Sequence, residues 1–431
     1  MVIYTVQKGD SLYSIAQRYG VLPESIRDDN FLEDPYQLVV GQTLVIIKPQ
    51  ISYEAEVGDS APSVAEKFGI SLQQLWRNNP VLGGGLEVEP GQLLKIKIPA
   101  PSRGKMRVNA YVYPFVDRSV LRRTLPYLTY LTIFTYGVRP DGSLIPVEDD
   151  ELIRLARDYG VAPVMHLSSL TEAGTFSNQL ARQILNDEGI KSRVIEQVKA
   201  TLAQKAYVGV DVDFEYVGAE NAKAYAGFLQ DLKNAIAPQG YEVWVALAPK
   251  VRADQEGILY EGHDYAALGN IADRSLLMTY EWGYTYGPPM AVAPLNQVRR
   301  VVDYAIREIP ASRLFLGVPN YGYDWTLPYV AGESRARSLG NVEAVEQAAR
   351  VGAEIQYDET AQAPYYFYYT DENNIAKKHE VWFEDGRSVE RSLSLVPENH
   401  MYGIGIWNVM KYFPQLWLVL NGLYEIDRVL P

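Results

Sequence analysis

From residue 107 onward, short strand-like runs rich in apolar and β-branched residues alternate with longer stretches that have the spacing of amphipathic helices. Such alternation is typical of βα units, in which successive strands lie parallel and a helix follows each strand. Eight units predict an α/β fold, a closed (β/α)8 TIM barrel. The predicted strands are Arg107 to Tyr113, Tyr130 to Tyr136, Ala162 to Leu167, Tyr207 to Glu215, Tyr241 to Ala248, Arg274 to Tyr280, Arg313 to Val318 and Tyr402 to Trp407.

The interval between the last two predicted strands is too long for a single helix. It contains a tyrosine-rich strand-like stretch, Tyr365 to Tyr369, and a second one, Glu380 to Phe383. We therefore predict a small inserted α+β lobe around residues 323–392, within a barrel domain of residues 106–431. Because active sites of such barrels lie at the carboxyl ends of the strands, we expect the lobe to form one wall of a cleft there.

The first hundred residues contain an internal repeat. In each copy a short strand leads into a Gly-Asp-Ser turn, whose Ser or Asp can cap a helix, and a Gly-Gln turn later leads into a closing apolar strand. The repeat predicts two βααβ modules, at residues 1–48 and 52–98. The matching positions are Gly9, Asp10 and Ser11 with Gly58, Asp59 and Ser60, Ile15 and Ala16 with Val64 and Ala65, and Gly41 and Gln42 with Gly91 and Gln92.

Both copies resemble the LysM module. The resemblance implies that each binds glycans containing N-acetylglucosamine in a shallow groove beside the Gly-Asp-Ser turn, although that turn is also interpretable as a helix cap alone. Residues 99–105, which include two prolines, are predicted to be a linker. The implied groove residues are Gly9, Asp10, Ser11, Gly58, Asp59 and Ser60, and the groove loops are Gly9 to Tyr13 with Phe31 to Tyr36 and Gly58 to Ser63 with Pro80 to Gly85.

The fourth predicted barrel strand carries three acidic residues at alternate positions, Asp211, Asp213 and Glu215. Side chains alternate between the two faces of a strand, so the three carboxyl groups share one face. The apolar face would pack on the barrel helices, and the acidic face would then point into the barrel with Glu215 nearest the active-site end. The apolar residues are Val210, Val212 and Phe214.

Three carboxyl groups stacked in a partly dry interior cannot all remain charged, because desolvation and mutual repulsion both favour protonation. A protonated Glu215 at the mouth of a cleft has the property needed to protonate a glycosidic oxygen. Two alternatives remain open from the residues alone. An oxygen-rich cluster can bind Ca²⁺ or Mg²⁺, and an acidic strand can lie at the surface.

The acidic pattern resembles glycoside hydrolase family 18, whose fourth strand reads Asp-x-x-Asp-x-Asp-x-Glu. Here Val208 occupies the first acidic position, and the other three match. The resemblance implies retaining catalysis in which the acetamido oxygen of the substrate is the nucleophile, without a metal or a cofactor. It implies that Glu215 acts first as acid and then as base, and that Asp213 orients the acetamido group while Asp211 shares a proton with Asp213.

Other positions extend the resemblance. Met278 and Tyr280 match a Met-x-Tyr-Asp element at the end of strand six, where the tyrosine assists the acetamido group, and Glu281 replaces the usual Asp. Trp407 matches the tryptophan that lies beneath the sugar at the cleavage point. Core packing is the alternative for Trp407, and a position at the rim is the alternative for Tyr280.

Two further observations concern the substrate contacts. The candidate substrate-binding residues are Trp407, Glu281 and Met278, together with Asn320 and Tyr321 after strand seven. The Ser-x-Gly-Gly element that the family carries on strand three is absent, since residues 165–169 read Met-His-Leu-Ser-Ser. This departure disfavours an ordinary chitinase.

Composition restricts the partner. A net charge of −13 argues against nucleic acid, whereas a neutral glycan tolerates it and the 32 tyrosines suit sugar rings. The chain has no cysteine, and neither a signal-peptide pattern nor an apolar stretch of about 20 residues is found, so we expect no classical secretion and no membrane span. We expect a monomer.

Two LysM-like modules before a family-18-like barrel look like the spore cortex-lytic N-acetylglucosaminidases of spore-forming bacteria. The resemblance implies hydrolysis of spore peptidoglycan or its fragments during germination, and a location in the spore coat or cortex, with the cytoplasm as the alternative. A chitinase or chito-oligosaccharide hydrolase is the first alternative function. A non-catalytic glycan-binding or coat protein is the second, and retention of Asp213, Glu215 and Tyr280 together speaks against it.

Overall fold

The computed structural model describes residues 1–32, 37–171, 175–372 and 375–430. Its first hundred residues form two βααβ modules, as predicted, and each module closes with an antiparallel pair of strands. Within the described ranges no helix is both long and apolar enough to cross a membrane. The elements are β1 (Val2–Thr5), α1 (Leu12–Tyr19), α2 (Pro23–Asn30) and β2 (Thr43–Ile46), then β3 (Ile51–Glu54), α3 (Ala61–Phe68), α4 (Leu72–Asn78) and β4 (Leu93–Lys97).

The Gly-Asp-Ser turn of each module is held by its own side chains. Ser11 caps α1 by accepting a hydrogen bond from the Ser14 amide at 3.1 Å. The Asp10 carboxylate accepts from the Tyr4 hydroxyl at 2.6 Å and from the Gln7 amide at 2.8 Å. Because these groups recur in the second copy, the repeat in sequence is a repeat of hydrogen bonds. The equivalent residues are Tyr53, Glu56, Asp59, Ser60 and Ser63.

The rest of the chain begins with alternating strands and helices. Each strand pairs in parallel with the next, and α7 and α8 together connect β7 to β8. The strands are β5 (Lys105–Val112), β6 (Tyr130–Tyr136), β7 (Ala162–Ser168), β8 (Gly209–Asp213), β9 (Glu242–Leu247), β10 (Arg274–Leu277) and β11 (Leu314–Pro319). The helices are α5 (Arg118–Thr124), α6 (Asp150–Asp158), α7 (Asn178–Asn186), α8 (Glu188–Lys205), α9 (Ala222–Ile236), α10 (Tyr265–Ile271) and α11 (Leu295–Glu308).

After β11 the chain forms a separate antiparallel sheet with one helix against it. The strand order is β13-β12-β16-β15-β14. The elements are β12 (Gly322–Leu327), β13 (Arg337–Leu339), α12 (Asn341–Val351), β14 (Gln356–Asp358), β15 (Ala363–Glu372) and β16 (Ile375–Trp382). The small α+β insertion of the predicted fold is therefore present. The domain boundaries given above remain predictions.

The chain then returns to the barrel through α13 (Gly386–Glu398), β17 (Gly403–Trp407), α14 (Pro414–Leu423) and β18 (Glu425–Ile426). β17 pairs in parallel with both β11 and β5, which closes the eight-stranded barrel, while β18 pairs with the first two residues of β5. The predicted (β/α)8 fold is confirmed.

The alternation on β8 works as the sequence predicts. Val210, Val212 and Phe214 belong to the core between strands and helices, and the Phe214 ring packs against Tyr225 and Phe228 of α9. The opposite face points into the barrel, whose lower interior is filled by large aromatic side chains such as Tyr130, Trp244 and Phe315. The acidic residues therefore lie on the interior face of the strand.

Helix α14 docks both modules on the barrel. Apart from Gly422, every residue of this helix is buried. Gln415 hydrogen-bonds with the Thr43 hydroxyl and carbonyl at 2.7 Å in the first module, and Asn421 donates to Asn78 at 3.2 Å in the second. The modules are therefore packed on the barrel through both apolar and polar contacts.

The two modules also contact each other through a buried ion pair between Asp29 and Lys95. We expect Lys95→Met to lower the free energy of unfolding by about 3 kcal/mol, because it would leave the Asp29 carboxylate buried without a cation. Burial already raises the pKa of Asp29, and the Lys95 charge opposes that shift. Urea denaturation measures the change. The double variant Asp29→Leu/Lys95→Met should recover most of the loss, and an unchanged midpoint for the single variant would contradict the expectation.

Candidate active site

The acidic residues lie at the carboxyl end of β8. Asp211 and Asp213 are buried on the strand, and Glu215, two residues beyond its end, is partly exposed at the mouth of the barrel. On one side β8 pairs with β7, so that His166 is in register with Asp211 and Ser168 with Asp213. The barrel thus places three carboxyl groups in a row from its interior to its active-site end.

Asp211 is the innermost of the three. Its Oδ2 accepts a hydrogen bond of 2.6 Å from the hydroxyl of Tyr111 on β5, and its Oδ1 is buried without a partner among the described residues. Burial raises the pKa of Asp211 to about 7, although the Tyr111 hydrogen bond acts in the opposite direction. Proton sharing with Asp213 remains a prediction.

Asp213 is the middle group and is surrounded by titratable neighbours. Burial raises its pKa well above the usual value, and the charges of Glu215 and Asp211 raise it further. Its Oδ2 lies 3.6 Å from Nε2 of His166. Burial lowers the pKa of His166 to about 3, so the imidazole is neutral and provides no charge to offset that of Asp213. The Oδ1 of Asp213 is buried and has no hydrogen-bond partner within the described part of the chain.

Glu215 has the ionisation expected of a proton donor. Burial raises its pKa to about 7, and the negative charge of Glu281 raises it as well. A carboxyl group with such a pKa is partly protonated at neutral pH and can both give and take a proton. The adjacent Tyr216 has a positive φ of 56° and is exposed, as is typical of a tight turn leaving a strand.

Tyr280 follows β10 and is buried beside the acidic residues. Its pKa is raised well above the usual value by burial first, and then by the charge of Asp213 and the other carboxylates. The hydroxyl is therefore protonated and can donate a hydrogen bond. Met278, two residues earlier, packs between the lower aromatic interior and the aromatic cluster under the lobe, and substrate contact by Met278 remains a prediction.

Glu281 contacts two tyrosines at the lobe edge. Its Oε1 accepts hydrogen bonds from the hydroxyls of Tyr321 and Tyr323, the latter at 3.0 Å. Burial raises the pKa of Glu281, and these two hydrogen bonds act against the increase. Tyr323 is the second residue of β12, so the lobe contributes directly to the wall of the site.

A pocket of about 210 Å³ lies between Glu281 and the end of β17. Trp407 lies on its barrel side and packs against Tyr111, Tyr113 and Phe134 at ring-centroid distances of 5.2 to 6.1 Å. The indole therefore has an aromatic support beneath it. The lining residues are Glu281, Asn320, Tyr321, Tyr323, Ser338, Leu339, Trp407, Asn408, Met410 and Lys411.

Asn320 holds the loop that follows β17. Its Nδ2 donates to the carbonyl oxygens of Asn408 and Lys411, both at 3.0 Å, while its Oδ1 is buried with no partner among the described residues. The amide thus fixes the pocket wall and leaves one acceptor unused. Direct substrate contact by Asn320 and Tyr321 remains a prediction.

The predicted glycan-binding residues of the modules lie on the turns before α1 and α3. Gly9 and Gly58 have φ values of 88° and 93°, so the turn requires glycine at this position. The carboxylates of Asp10 and Asp59 are engaged within their modules by tyrosine and backbone donors. Residues 33–36 of the predicted groove loop Phe31 to Tyr36 lie outside the described residues. Glycan binding by these turns remains a prediction.

Sequence reasoning missed several residues of the site. Tyr111 contacts Asp211, and His166 contacts Asp213. Phe134 packs against Trp407, and Tyr323 donates a hydrogen bond to Glu281. Tyr111 was detectable because it lies on a predicted barrel strand with its side chain inward. For the cation alternative, the described histidines and carboxylates include no group of three that could hold a metal ion.

The comparisons with known proteins agree with this geometry. The model for "Glycosyl hydrolases family 18" matches residues 173–411, and the model for the LysM domain matches residues 4–46 and 53–97. The chain belongs to glycosyl hydrolase family 18. It is therefore a glycoside hydrolase that carries two LysM domains, and both predicted resemblances are confirmed.

Relatives cover nearly the whole chain. A "cortical fragment-lytic enzyme" of Bacillus subtilis is 37% identical over 434 residues, covering 99% of each chain. The crystal structure of the spore cortex-lytic enzyme SleL of Bacillus megaterium is 36% identical with a TM-score of 0.83, also covering 99% of each chain. A chitinase structure from Chromobacterium violaceum, 23% identical with a TM-score of 0.67, covers 74% of this chain and 99% of its own and shares the fold.

The electrostatic effect of Glu281 on Glu215 predicts a change in the pH profile. Because the Glu281 charge raises the pKa of Glu215, Glu281→Gln should lower that pKa, so Glu215 loses its proton at lower pH. A general acid is active only while protonated, and the alkaline limb of the kcat/KM profile should therefore move to lower pH. The exposed Glu256→Gln is the matched control. An alkaline limb at the same pH in Glu281→Gln and wild type would show that the two groups are not coupled.

Proposed function

We propose that this protein is an N-acetylglucosaminidase that hydrolyses glycosidic bonds of spore cortex peptidoglycan, or of fragments of it, during germination. The observation that carries the proposal is the cluster of Asp213, Glu215 and Tyr280 at the active-site end of the barrel. A proton donor with a pKa near 7, an unpaired carboxyl oxygen and a protonated tyrosine lie together there.

The chemistry follows from these three groups. Glu215 gives its proton to the glycosidic oxygen, and the bond from that oxygen to the anomeric carbon breaks. The acetamido carbonyl oxygen of the same sugar bonds to the anomeric carbon and forms a cyclic oxazolinium ion. This step inverts the configuration of the anomeric carbon, and the second half of the reaction restores it. Asp213 is ionised when Asp211 takes over its proton; it then accepts a hydrogen bond from the acetamido N–H and balances the positive charge, while the Tyr280 hydroxyl donates a hydrogen bond to the acetamido group.

The second half of the reaction uses the same residues. Glu215, now a carboxylate, takes a proton from a water molecule, and the water oxygen attacks the anomeric carbon. The bond from the acetamido oxygen to that carbon breaks, so the acetamido group is restored and the configuration is retained. Glu215 ends protonated and is ready for another cycle. The raised pKa allows one residue to fill both roles at neutral pH.

The choice of substrate is supported by the relatives and by the two LysM domains. Full-length relatives are named for lysis of the spore cortex or of its fragments, and the domain arrangement is the same from end to end. A location in the spore coat or cortex is part of this proposal, and so is a monomeric state. Docking of both modules on α14 would hold a bound glycan at a fixed position relative to the barrel.

Product analysis tests the proposal. Wild type and Glu215→Gln are incubated with purified spore cortex and with chitin oligomers, and the products are identified by mass spectrometry. We expect cortex fragments with N-acetylglucosamine at the reducing end, released by the wild type and absent with the variant. Cleavage of chitin alone would instead show a chitinase, and no product from either substrate would show a glycan-binding protein.

A further inference from the structure

A large cavity lies between the second module and the end of the barrel opposite the active site. Its volume is about 810 Å³. The walls come from α4, from the segment 97–104, from the end of α6 and from the chain that follows α14. The cavity is within the range of about 300–1,000 Å³ that is usual for ligand sites in proteins. It shares no lining residue with the active-site pocket.

Two arginines of different domains meet in this cavity. Arg77 of the second module and Arg428 after β18 both donate to the carbonyl oxygen of Pro126, at 3.2 Å and 2.7 Å. Arg428 also donates to the carbonyl oxygen of Leu128 at 2.6 Å. Guanidinium groups that share one acceptor are close neighbours, and their like charges repel each other.

Neither arginine has a carboxylate against it in the described part of the chain. Their hydrogen-bond acceptors are backbone carbonyl oxygens, which carry only partial charge. The Arg77 pKa is lowered by burial, and that of Arg428 falls to about 10 because of burial and the charge of Arg77. Glu425 is the one acid among the described residues that line the cavity, and it acts on Arg77; its side chain is 66% exposed and lies 3.9 Å from Lys105, and three cations line the same cavity. The cavity therefore has an excess of positive charge in a protein of net charge −13.

Arg77 keeps several N–H groups for a ligand, whereas the Nη atoms of Arg428 already donate to the carbonyl oxygens of Pro126, Leu128, Tyr159 and Gly160. A guanidinium has five donors, and Arg77 uses Nη1 for Pro126. The Nε and Nη2 of Arg77 have no partner among the described residues and are not fully buried. Lys97 adds a third cation to the cavity wall. A planar guanidinium with free N–H groups binds carboxylate or phosphate oxygens with paired hydrogen bonds.

We infer that this cavity is a binding site for an oxyanion, a carboxylate or a phosphate, held by Arg77 and Arg428 with Lys97 nearby. An oxyanion there would neutralise the repulsion between the two guanidinium groups and would connect the second module to the barrel. The inference does not depend on the proposed reaction, because the site lies at the other end of the barrel. The anion comes either from solution or from an acidic substituent on a glycan.

A single thiol can report on this cavity because the chain has no cysteine. Ala100 is exposed and lines the cavity, whereas Ala200 on the outer helix α8 is exposed and is not a lining residue. The full-length Ala100→Cys and Ala200→Cys proteins are alkylated with iodoacetamide, a neutral reagent, in a buffer of low ionic strength. Inorganic phosphate, N-acetylmuramic acid or N-acetylglucosamine is added, and the two sugars differ by the lactyl group that bears the carboxylate.

We expect phosphate, N-acetylmuramic acid or both to slow alkylation of Cys at position 100 in a saturable manner, without an effect of N-acetylglucosamine and without an effect at position 200. Adding Arg77→Gln should raise the concentration needed by about tenfold, the cost of one charge-assisted hydrogen-bond pair. Slowing by phosphate alone identifies a site for free anions, and slowing by the acidic sugar alone identifies a site for a glycan substituent.

Three results would overturn the inference. They are an absence of slowing with both anions, equal slowing by the neutral sugar, and slowing that persists unchanged in Arg77→Gln. Arg77→Lys separates charge from structure, because it keeps the cation but loses the paired donors and should bind with intermediate strength. The thermal midpoint of each variant without ligand is measured first, so that only variants folded like the parent are compared.

Discussion

Replacing Glu215 by Gln is expected to lower turnover of the natural glycan by about 100-fold or more while glycan binding is retained. Gln has the size and hydrogen-bonding oxygen of Glu but has no proton that it can transfer. The alkoxide that leaves a sugar is a strong base, and it needs that proton as the glycosidic bond breaks. The loss should therefore appear in kcat, with little change in KM.

The leaving group provides a sharper test of the same prediction. A dinitrophenyl glycoside of N-acetylglucosamine or of its dimer releases a weakly basic phenolate, which departs without protonation. The effect of Glu215→Gln on the first step should therefore become small with this substrate. A large loss with both substrates would mean that Glu215 positions the sugar and does not donate the proton.

Glu220→Gln is the matched control. Glu220 lies five residues after Glu215 in the chain, but it is exposed and pairs with Arg182 at the surface. The same chemical change there should leave turnover of both substrates unaltered. If Glu215→Gln retained near-normal turnover of the natural glycan, the assignment of the acid would be wrong.

The architecture was predictable because its signals are local in the sequence. Alternation of strands and helices predicts the barrel, and the two faces of β8 separate acidic from apolar residues at every second position. The repeated Gly-Asp-Ser turn predicts two equal modules, and the hydrogen bonds that its Asp and Ser side chains accept indeed join residues at most six positions apart in the first module. Each of these patterns depends on the spacing of residues that are near each other in the sequence.

The surroundings of the acidic row were less predictable because they depend on long-range contacts. Tyr111 reaches Asp211 across 100 positions of sequence, and Tyr323 reaches Glu281 from an inserted lobe. His166 lies on strand three, where the family's Ser-x-Gly-Gly element is absent, and nothing in the residue pattern indicates that its ring is neutral. Its pKa is lowered by burial, and that burial results from the packing of the whole barrel.

The packing of the two modules on the barrel could not be predicted from the sequence either. Residues 99–105 have the composition of a linker, yet Arg103 pairs with Glu390 at 2.6 Å, and its amide donates to the Leu423 carbonyl at 3.0 Å. Helix α14 is apolar around nearly its whole circumference, which is typical of a helix that is covered on all sides. The sequence of α14 therefore predicts that the helix is buried on all sides. Only the structure shows that the two modules are part of what covers it.

Asp213→Asn is expected to lower turnover by about 100-fold or more with both the natural glycan and the dinitrophenyl glycoside, because it removes a charge that acts in both reactions. The positive charge of the oxazolinium ion develops whether or not the leaving group needs a proton. Asn can still accept a hydrogen bond from the acetamido N–H, but it carries no negative charge. The loss should therefore be independent of the leaving group, in contrast to the loss in Glu215→Gln.

The comparison of the two variants assigns the two roles separately. Asp231→Asn is the control for Asp213→Asn, since Asp231 pairs with Lys191 on the outer helices at 2.9 Å. If the loss in Asp213→Asn became small with the good leaving group, Asp213 would act through protonation of Glu215, whose charge raises the Asp213 pKa. If it persists, the carboxylate stabilises the cyclic ion directly, and the row of acids divides into a proton donor at the mouth and a charge stabiliser behind it.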